Sequence, residues 1–401
     1  MNERTRRLRV LRGRLDVRTR ARHRKVVQHE AGLVRPRVAA VVVPDKAATQ
    51  EDVAIAERLL AAYAAAAGDA PPQPEPSSPR FDLWSLITTQ QGRFASVLDG
   101  GDAPELAAYL CNVARHDASQ GLEQGDAGYD RVVGDRSYRS FVALTVKDAL
   151  VSLAEAVGAL PVENPEQGPF RKSIHHEPAQ LVERVSARLG IDITPPDVDG
   201  GLLKVDTGRG LFGGRDVNAI YTAHLVRQTL RALPSPRICE IGGGSGRVAY
   251  WSRRLGPASY TIVDLPRINV LQGYYACKAL PADEVSLYGE LPPGEAPGRL
   301  QILPAHAIAQ LDAPAFDLVL NQDSFPEMSL DTVTDYLRWI ARCCEGSLLS
   351  INHESKPSYG DGLEHVSVPE AAARAGGFEL EYRFPYWLRR GYVVERYRVA
   401  R

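Results

Sequence analysis

The stretch Arg237-Ile238-Cys239-Glu240-Ile241-Gly242-Gly243-Gly244-Ser245-Gly246 decides the fold of this 401-residue chain. Its first half is a short apolar run that predicts a buried strand over Arg237–Ile241, and the residues after it predict a helix over Arg247–Arg254. A turn between a strand and a helix needs glycine, because a Cβ would keep the backbone away from a ligand. The unpaired N–H groups at the helix start can bind a carboxylate. The stretch therefore predicts an α/β fold with a ligand at the turn.

The spacing of the glycines narrows the class of ligand. A dinucleotide-binding turn has the form G-x-G-x-x-G, but its third glycine would fall at position 247, where the chain has Arg247. The glycines instead follow the form acidic-x-G-x-G-x-G. A purely structural turn is the alternative for a glycine cluster taken alone. We expect cofactor contacts from the residues of this motif, which are Glu240, Gly242, Gly243, Gly244, Ser245 and Gly246.

An acidic residue ends the next predicted strand. Asp264 closes the run Thr261-Ile262-Val263 and is followed by Leu265. A carboxylate about 20 residues beyond such a turn can accept hydrogen bonds from both hydroxyls of a ribose. A helix N-cap is the alternative for Asp264. Together with the turn, Asp264 and Leu265 predict a nucleoside-containing cofactor.

The C-terminal half alternates short apolar strands with amphipathic helices, as in a doubly wound α/β sheet. The predicted strands are Arg237–Ile241, Ser259–Val263, Leu300–Leu303, Phe316–Leu320, Ser347–Ile351, Phe378–Phe384 and Tyr392–Val399. The predicted helices between them are Arg247–Arg254, Ile268–Leu280, Asp331–Cys343 and Pro369–Ala375. The last two strands leave no room for a helix and should form an antiparallel hairpin near Arg389-Arg390-Gly391. This pattern predicts the Rossmann-like, seven-stranded sheet of a class I methyltransferase.

The part before this sheet is expected to be α-helical. Residues 1–37 carry thirteen Arg or Lys against three acids, and a Pro/Ser cluster lies within Gly68–Pro79. We predict a basic and Ala/Pro-rich extension over 1–80, a helical lid over 81–205 and a cofactor-binding domain over 206–401. The lid should cover the open rim of the sheet and exclude water, and a homodimer would form through it. Asp206–Gly214, with four glycines, is expected to be a ligand-facing loop rather than a strand.

Polar residues follow two further predicted strands, at the sheet edge where open α/β folds bind ligands. The first set comes after Phe316–Leu320 and consists of Asn321, Gln322, Asp323, Ser324, Glu327 and Met328. The second set is Asn352-His353-Glu354. We expect the cofactor to meet its acceptor between these sets.

With these motifs in place, the stretch from Arg237 to Ser355 resembles the sugar O-methyltransferase family of class I enzymes. The shared features are the glycine turn, Asp264-Leu265-Pro266 and Ser324-Phe325-Pro326-Glu327-Met328. The resemblance implies S-adenosylmethionine as cofactor, S-adenosylhomocysteine as product, and methyl transfer to a sugar or sugar-like hydroxyl, as in bacterial antibiotic or glycan tailoring. Some sugar methyltransferases bind Mg²⁺ through an Asp after strand four and an acidic pair after strand five. Asp323 fits, but Asn352-His353 does not, so no metal is predicted.

A sugar hydroxyl needs a base to take its proton during methyl transfer. His353 is the first candidate because imidazole titrates near neutral pH, and Glu327 is the second. Asp323 could orient the hydroxyl. The alternatives are a hydrogen-bonded strand-end histidine for His353, a helix N-terminal carboxylate for Glu327 and a turn cap for Asp323.

The remaining assignments are more peripheral. His306 is expected at the adenine ring, with Asn321 and Gln322 also on the cofactor side. Ser324, Met328, Tyr359 and Trp387 are expected to contact the acceptor, although the two aromatic residues could equally close the core.

Composition limits the other functions. The net charge of −1 argues against nucleic acid as a partner, and no apolar run approaches the ~20 residues that span a bilayer. Five cysteines without a CxxC pair favour a reducing cytoplasm. Four alternatives stay open: an N-methyltransferase for amino sugars, an RNA or protein methyltransferase that uses the basic arm, a non-catalytic cofactor-binding module and a nicotinamide oxidoreductase.

Overall fold

A computed structural model describes residues 38–71, 83–122, 125–163, 175–256, 258–311, 315–355 and 365–400. The predicted basic arm over residues 1–37 and most of the predicted Pro/Ser linker lie outside these ranges. Within them, no helix is long and apolar enough to cross a membrane.

The strands of the described residues form two sheets. They are β1 (Ala39–Val42), β2 (Leu203–Asp206), β3 (Leu211–Phe212), β4 (Arg237–Ile241), β5 (Ser259–Asp264), β6 (Val285–Leu287), β7 (Leu300–Pro304), β8 (Phe316–Gln322), β9 (Cys344–His353), β10 (Phe378–Pro385) and β11 (Tyr392–Val399). The large sheet has the order β10-β11-β9-β8-β4-β5-β7-β6. Strands β4 to β9 pair with one another in parallel, whereas β11 is antiparallel to both β9 and β10.

This strand order is that of a class I methyltransferase, with β6 added at one edge. The fold class and all seven predicted strands are confirmed, including the terminal antiparallel hairpin. Strand β6 was not predicted because three residues are too few to show a period.

Helices cover both faces of this sheet and fill most of the N-terminal half. They are α1 (Gln50–Gly68), α2 (Leu83–Gln90), α3 (Gly92–Gly100), α4 (Ala103–Leu110), α5 (Gly125–Gly134), α6 (Arg136–Ala156), α7 (Pro178–Leu189), α8 (Gly214–Thr229), α9 (Arg247–Leu255), α10 (Pro266–Ala279), α11 (Leu330–Cys343) and α12 (Val368–Ala375). The four helices predicted between the strands are found with ends within two residues of the expected ones. Helix α6 ends at Ala156, because Gly158 takes a left-handed φ of 73° two residues later.

The expectation that Asp206–Gly214 contains no strand is wrong. Leu211–Phe212 pairs with β2 as a short hairpin strand, and β2 also pairs with β1. No strand pattern is visible in the sequence here, because only two apolar residues lie among the glycines. Phe212 is fully buried, and Gly208 and Gly210 have the positive φ values that a tight turn requires.

Helix α1 lies against α10 as part of the packed body. Gly273 of α10 permits this approach, since a Cβ on it would lie 2.4 Å from Cδ2 of the buried Leu59. Close by, the Tyr274 hydroxyl donates to the Asp52 carboxylate at 2.9 Å. Residues 50–68 therefore pack against a helix of the region 206–401, and the division of the chain into domains stays a prediction.

We predict that Gly273→Ala lowers the free energy of unfolding by about 1–3 kcal/mol, because overpacking forces buried neighbours to move. Chemical denaturation measures the change. Gly100→Ala is the matched control, since a Cβ there meets nothing within 4 Å. Equal stability of the two variants would contradict the close packing of α1 on α10.

Candidate functional site

A cavity of about 470 Å³ lies at the carboxyl ends of the central strands. This volume falls within the usual range for small-molecule sites, roughly 300–1,000 Å³. Twelve of the predicted site residues line it: Glu240, Gly242, Gly243, Gly244, Ser245, Asp264, Leu265, Gln322, Asp323, Ser324, Glu327 and Met328. Its outer wall comes from the helical N-terminal half, through Trp84, Ser85, Thr88, Gly121 and Leu122.

The glycine turn adopts a backbone that other residues rarely adopt. Gly242, Gly244 and Gly246 have φ values of 72°, 55° and 77°. A Cβ on Gly242 would lie 2.1 Å from Ser324 Oγ, and one on Gly243 would lie 2.8 Å from a methyl carbon of Ile262. Gly246 is not in the cavity wall, so its role is to permit the turn into α9. The glycines are thus required by their φ values and by close contact with Ser324, just after β8, and with Ile262 of β5.

A buried polar clip joins the ends of β4 and β8 beneath this turn. The Asn321 amide donates to the Ile241 carbonyl oxygen at 3.0 Å and to Ser324 Oγ at 2.6 Å. Ser324 Oγ in turn donates to the same carbonyl at 3.1 Å. Asn321 is fully buried and does not line the cavity, so the geometry gives it a structural place instead of the predicted cofactor contact.

Asp264 is held at the cavity wall by Leu265 and Gln272, and the backbone N–H groups of Gly243 and Gly244 also bind its carboxylate. The Leu265 N–H donates to its Oδ1 at 2.8 Å, and the Gln272 amide donates to its Oδ2 at 2.7 Å. Gln272 also donates to the Gly244 carbonyl at 3.1 Å and so links the acid to the turn. Burial raises the pKa of Asp264 to about 6. Sequence reasoning missed Gln272, because a glutamine inside a helix carries no signal of such a contact.

Glu240 lies below the turn and belongs to the same wall. Its carboxylate accepts a hydrogen bond from the Tyr260 hydroxyl at 2.9 Å. Burial raises the pKa of Glu240 to about 7, and the neighbouring charge of Asp264 adds to the effect.

Arg247 occupies the position at which a dinucleotide turn would have its third glycine. Its side chain is buried and donates to Asp199 Oδ2 at 2.6 Å, with Asp216 Oδ1 at 3.6 Å. Its guanidinium carbon also lies 4.6 Å from the centre of the Tyr275 ring. This paired arginine fixes the start of α9. The sequence did not indicate its partners, which come from distant segments.

The other end of the cavity holds Glu327, which contacts the helical wall. The Trp84 indole N–H donates to Glu327 Oε2 at 2.8 Å. Burial raises the pKa of Glu327 to about 7, and the charge of Asp323 acts in the same direction. The Trp84 hydrogen bond and the nearby arginines act against this rise. A carboxyl group with this pKa can exchange a proton near neutral pH.

Asp323 lies beside Glu327 in a different electrostatic environment. Its φ of 67° makes it the one non-glycine residue with a positive φ among the described residues. Arg389 donates to its Oδ2 at 2.6 Å, and Arg215 lies 3.9 Å from the same oxygen. Such backbone strain is typical of functional sites.

Several predicted residues lie outside the cavity wall. His353 Nε2 lies 3.1 Å from His365 Nδ1, its ring is nearly perpendicular to that of Tyr392, and it does not line the cavity, so the geometry does not favour His353 as the base. His306 packs edge-on against Tyr288, while its neighbour Ala305 lines the cavity. Trp387 is 48% exposed and is not part of the wall. Tyr359 lies outside the described residues.

Comparisons with known proteins place the chain among distant structures only. No protein-family model and no curated protein matches it. The [4+2]-cyclase SpnF is 15% identical, with 47% of this chain and 82% of SpnF covered and a TM-score of 0.36. Magnesium protoporphyrin IX methyltransferase (ChlM) from Synechocystis PCC 6803 is 15% identical, with 46% and 84% covered and a TM-score of 0.35.

A third structure, the 1,6-didemethyltoxoflavin-N1-methyltransferase of Burkholderia thailandensis, is 20% identical, with 47% and 83% covered and a TM-score of 0.31. Likenesses of this size say nothing about individual residues or activity. The fold class rests on the strand order described above.

We predict that Gly242→Ala lowers the free energy of unfolding by more than about 1 kcal/mol. A left-handed φ is unfavourable for alanine, and its Cβ would collide with Ser324. Thermal or chemical unfolding measures the change. Gly100→Ala again serves as control. Wild-type stability of Gly242→Ala would show that the turn and β8 are not in this tight contact.

Proposed function

We propose that this chain is an S-adenosylmethionine-dependent methyltransferase that acts on the hydroxyl of a sugar or sugar-like small molecule. One observation carries the proposal. The glycine turn with Asp264 and the Glu327 carboxyl group, whose pKa is about 7, line the same cavity. The proposed nucleoside-binding residues and the proposed proton acceptor thus belong to the wall of one cavity.

The described residues fit the cofactor. Asp264 lines the cavity, where its carboxylate can accept hydrogen bonds from ribose hydroxyls. Leu265 and Tyr336 provide apolar and aromatic surface in the same wall. When bound, S-adenosylmethionine supplies an electrophilic methyl group. A Cβ on Gly244 would meet only Leu122, at 3.9 Å, so the turn leaves open space on the cavity side.

Glu327 is the base that the geometry favours for the acceptor hydroxyl. It lines the cavity, whereas His353, the first candidate from sequence, does not. The ionised Glu327 takes the hydroxyl proton as the oxygen attacks. Trp84 acts as a positioning residue, because its hydrogen bond fixes one carboxylate oxygen and stabilises the charged form.

The other predictions about the protein keep the status of proposals. A small-molecule acceptor fits a cavity of this volume. The five cysteines are all buried and free, which suits a reducing cytoplasm. A role in bacterial antibiotic or glycan tailoring and a homodimer are the remaining proposals. The RNA and protein methyltransferase alternative depends on residues 1–37, outside the described ranges.

We predict that Asp264→Ala weakens S-adenosylhomocysteine binding roughly tenfold or more, because hydrogen bonds to a charged group are worth about 1.5–3 kcal/mol. Titration calorimetry on the full chain measures the dissociation constant. Asp335→Ala, at an exposed carboxylate of α11, is the control and should bind as wild type. Unchanged binding in Asp264→Ala would refute the role of Asp264, and absent binding in the wild type would refute the cofactor.

We predict that Glu327→Gln lowers kcat/KM for methyl transfer by roughly 10²–10⁴-fold, because it removes the general base. Labelled cofactor and a panel of sugars, nucleosides and aminocyclitols provide the assay. Since only the carboxylate can accept the proton, wild-type activity should rise with pH through about 7. Retention of most activity in Glu327→Gln would instead favour N-methylation of an amino sugar, which needs less help from a base.

The pH profile of Trp84→Phe separates positioning from simple damage to the cavity wall. Loss of the indole donor removes stabilisation of the carboxylate, so the pKa of Glu327 and the rising limb of activity should move to higher pH. Leu86→Ala, at an exposed residue of the same helix outside the wall, is the control. If Trp84→Phe is less active but its activity rises over the same pH range as in the wild type, Trp84 does not act through Glu327.

A further inference from the structure

The acceptor end of the cavity contains two arginines, Arg215 and Arg389, beside the carboxyl groups of Asp323 and Glu327. These four side chains approach from four parts of the chain: the start of α8, the loop before β11, the end of β8 and the turn after it. Their charges decide which acceptor the space can accommodate.

Arg389 already forms an ion pair with an acidic residue. Its Nη1 donates to Asp323 Oδ2 at 2.6 Å, and its guanidinium carbon lies 3.7 Å from the centre of the Tyr392 ring. The positive charge of Arg389 and the negative charge of Asp323 thus compensate each other. Arg247, the third arginine of the wall, is paired with Asp199 and Asp216.

Arg215 is the cation with no comparable partner. Its nearest carboxylate oxygen is Asp323 Oδ2 at 3.9 Å, which is too far for a hydrogen bond. Its side chain makes no hydrogen bond to any residue of the described ranges, and 44% of that side chain is exposed. Glu327 compensates it only in part, because burial raises the pKa of that carboxyl group to about 7.

A second polar side chain of the cavity wall lies one helical turn from Arg215. Asn218 lines the cavity and donates from its amide to the Gly214 carbonyl at 2.8 Å. Its Oδ1 is buried, with no hydrogen-bond partner in the described part of the chain. Because this oxygen is buried, the Asn218 side chain must rotate before a ligand in the cavity can reach it, and the inference from Arg215 does not depend on it.

We propose that the acceptor is a hydroxylated acid, a sugar-like molecule whose carboxylate or phosphate group is bound by Arg215. The guanidinium fork of Arg215 can bind either anion through two parallel hydrogen bonds. This inference rests on the proposed function, since it names the acceptor class of the same site.

The test compares three probes of similar shape: D-glucose, D-glucuronate and D-glucose 6-phosphate. Each is titrated by calorimetry into the full chain saturated with S-adenosylhomocysteine. At least one acidic probe should bind ten times or more tightly than glucose. The comparison of D-glucuronate with D-glucose 6-phosphate shows which of the two anions, carboxylate or phosphate, the site prefers.

Substitutions at Arg215 then assign the effect. Arg215→Gln should reduce the preference for the acidic probe to less than threefold, while Arg215→Lys keeps the charge and should retain part of it. Arg338→Gln, at an exposed arginine of α11, is the matched control and should bind as wild type. Circular dichroism and S-adenosylhomocysteine affinity check that each variant is folded.

The outcomes separate this inference from the proposed function. If neither acidic probe binds more tightly than glucose, or if Arg215→Gln keeps the preference, the inference is overturned while cofactor binding and methyl transfer can stand. If wild-type protein binds no S-adenosylhomocysteine, the proposed function itself fails. A preference that disappears in Arg215→Gln and survives in Arg338→Gln supports the inference.

Discussion

The junction between β4 and β8 is the contact on which the rest of the site depends. At this point the Ile241 carbonyl accepts from both Asn321 and Ser324, so two parallel strands end at a fixed separation. The chain must then turn away directly above Ser324, which leaves no room for a Cβ on Gly242. The positions of the glycine turn, the start of α9 and Asp323 follow from this clip.

Burial divides the carboxyl groups of the cavity into two kinds. Glu240, Asp264 and Glu327 have raised pKa values because they are desolvated. Asp323 lies beside Arg389 and Arg215, where its negative charge is compensated. Two acids only four residues apart in sequence therefore have different partners: Glu327 accepts from Trp84, while Asp323 accepts from Arg389.

The helical half of the chain takes part in the site as well as covering it. Trp84 reaches from α2 to Glu327, and Leu122 faces the glycine turn. A contact between residues 84 and 327 ties the proposed base to the wall that closes the cavity. The acceptor end is thus assembled from both halves of the chain, which suits a site that must exclude water.

The sequence by itself determined the class of fold, the seven predicted strands, the glycine turn and the position of Asp264 at the end of a strand. These features are local: a period of apolar residues, a φ that only glycine adopts readily, and an acid at the end of a strand. The sequence could not decide between His353 and Glu327, and it missed Gln272, Arg247 and Trp84. Their roles depend on burial and on partners that are distant in the chain, such as Asp199 for Arg247. Only the tertiary structure brings those groups together, because the pKa of a carboxyl group is set by what surrounds it in space.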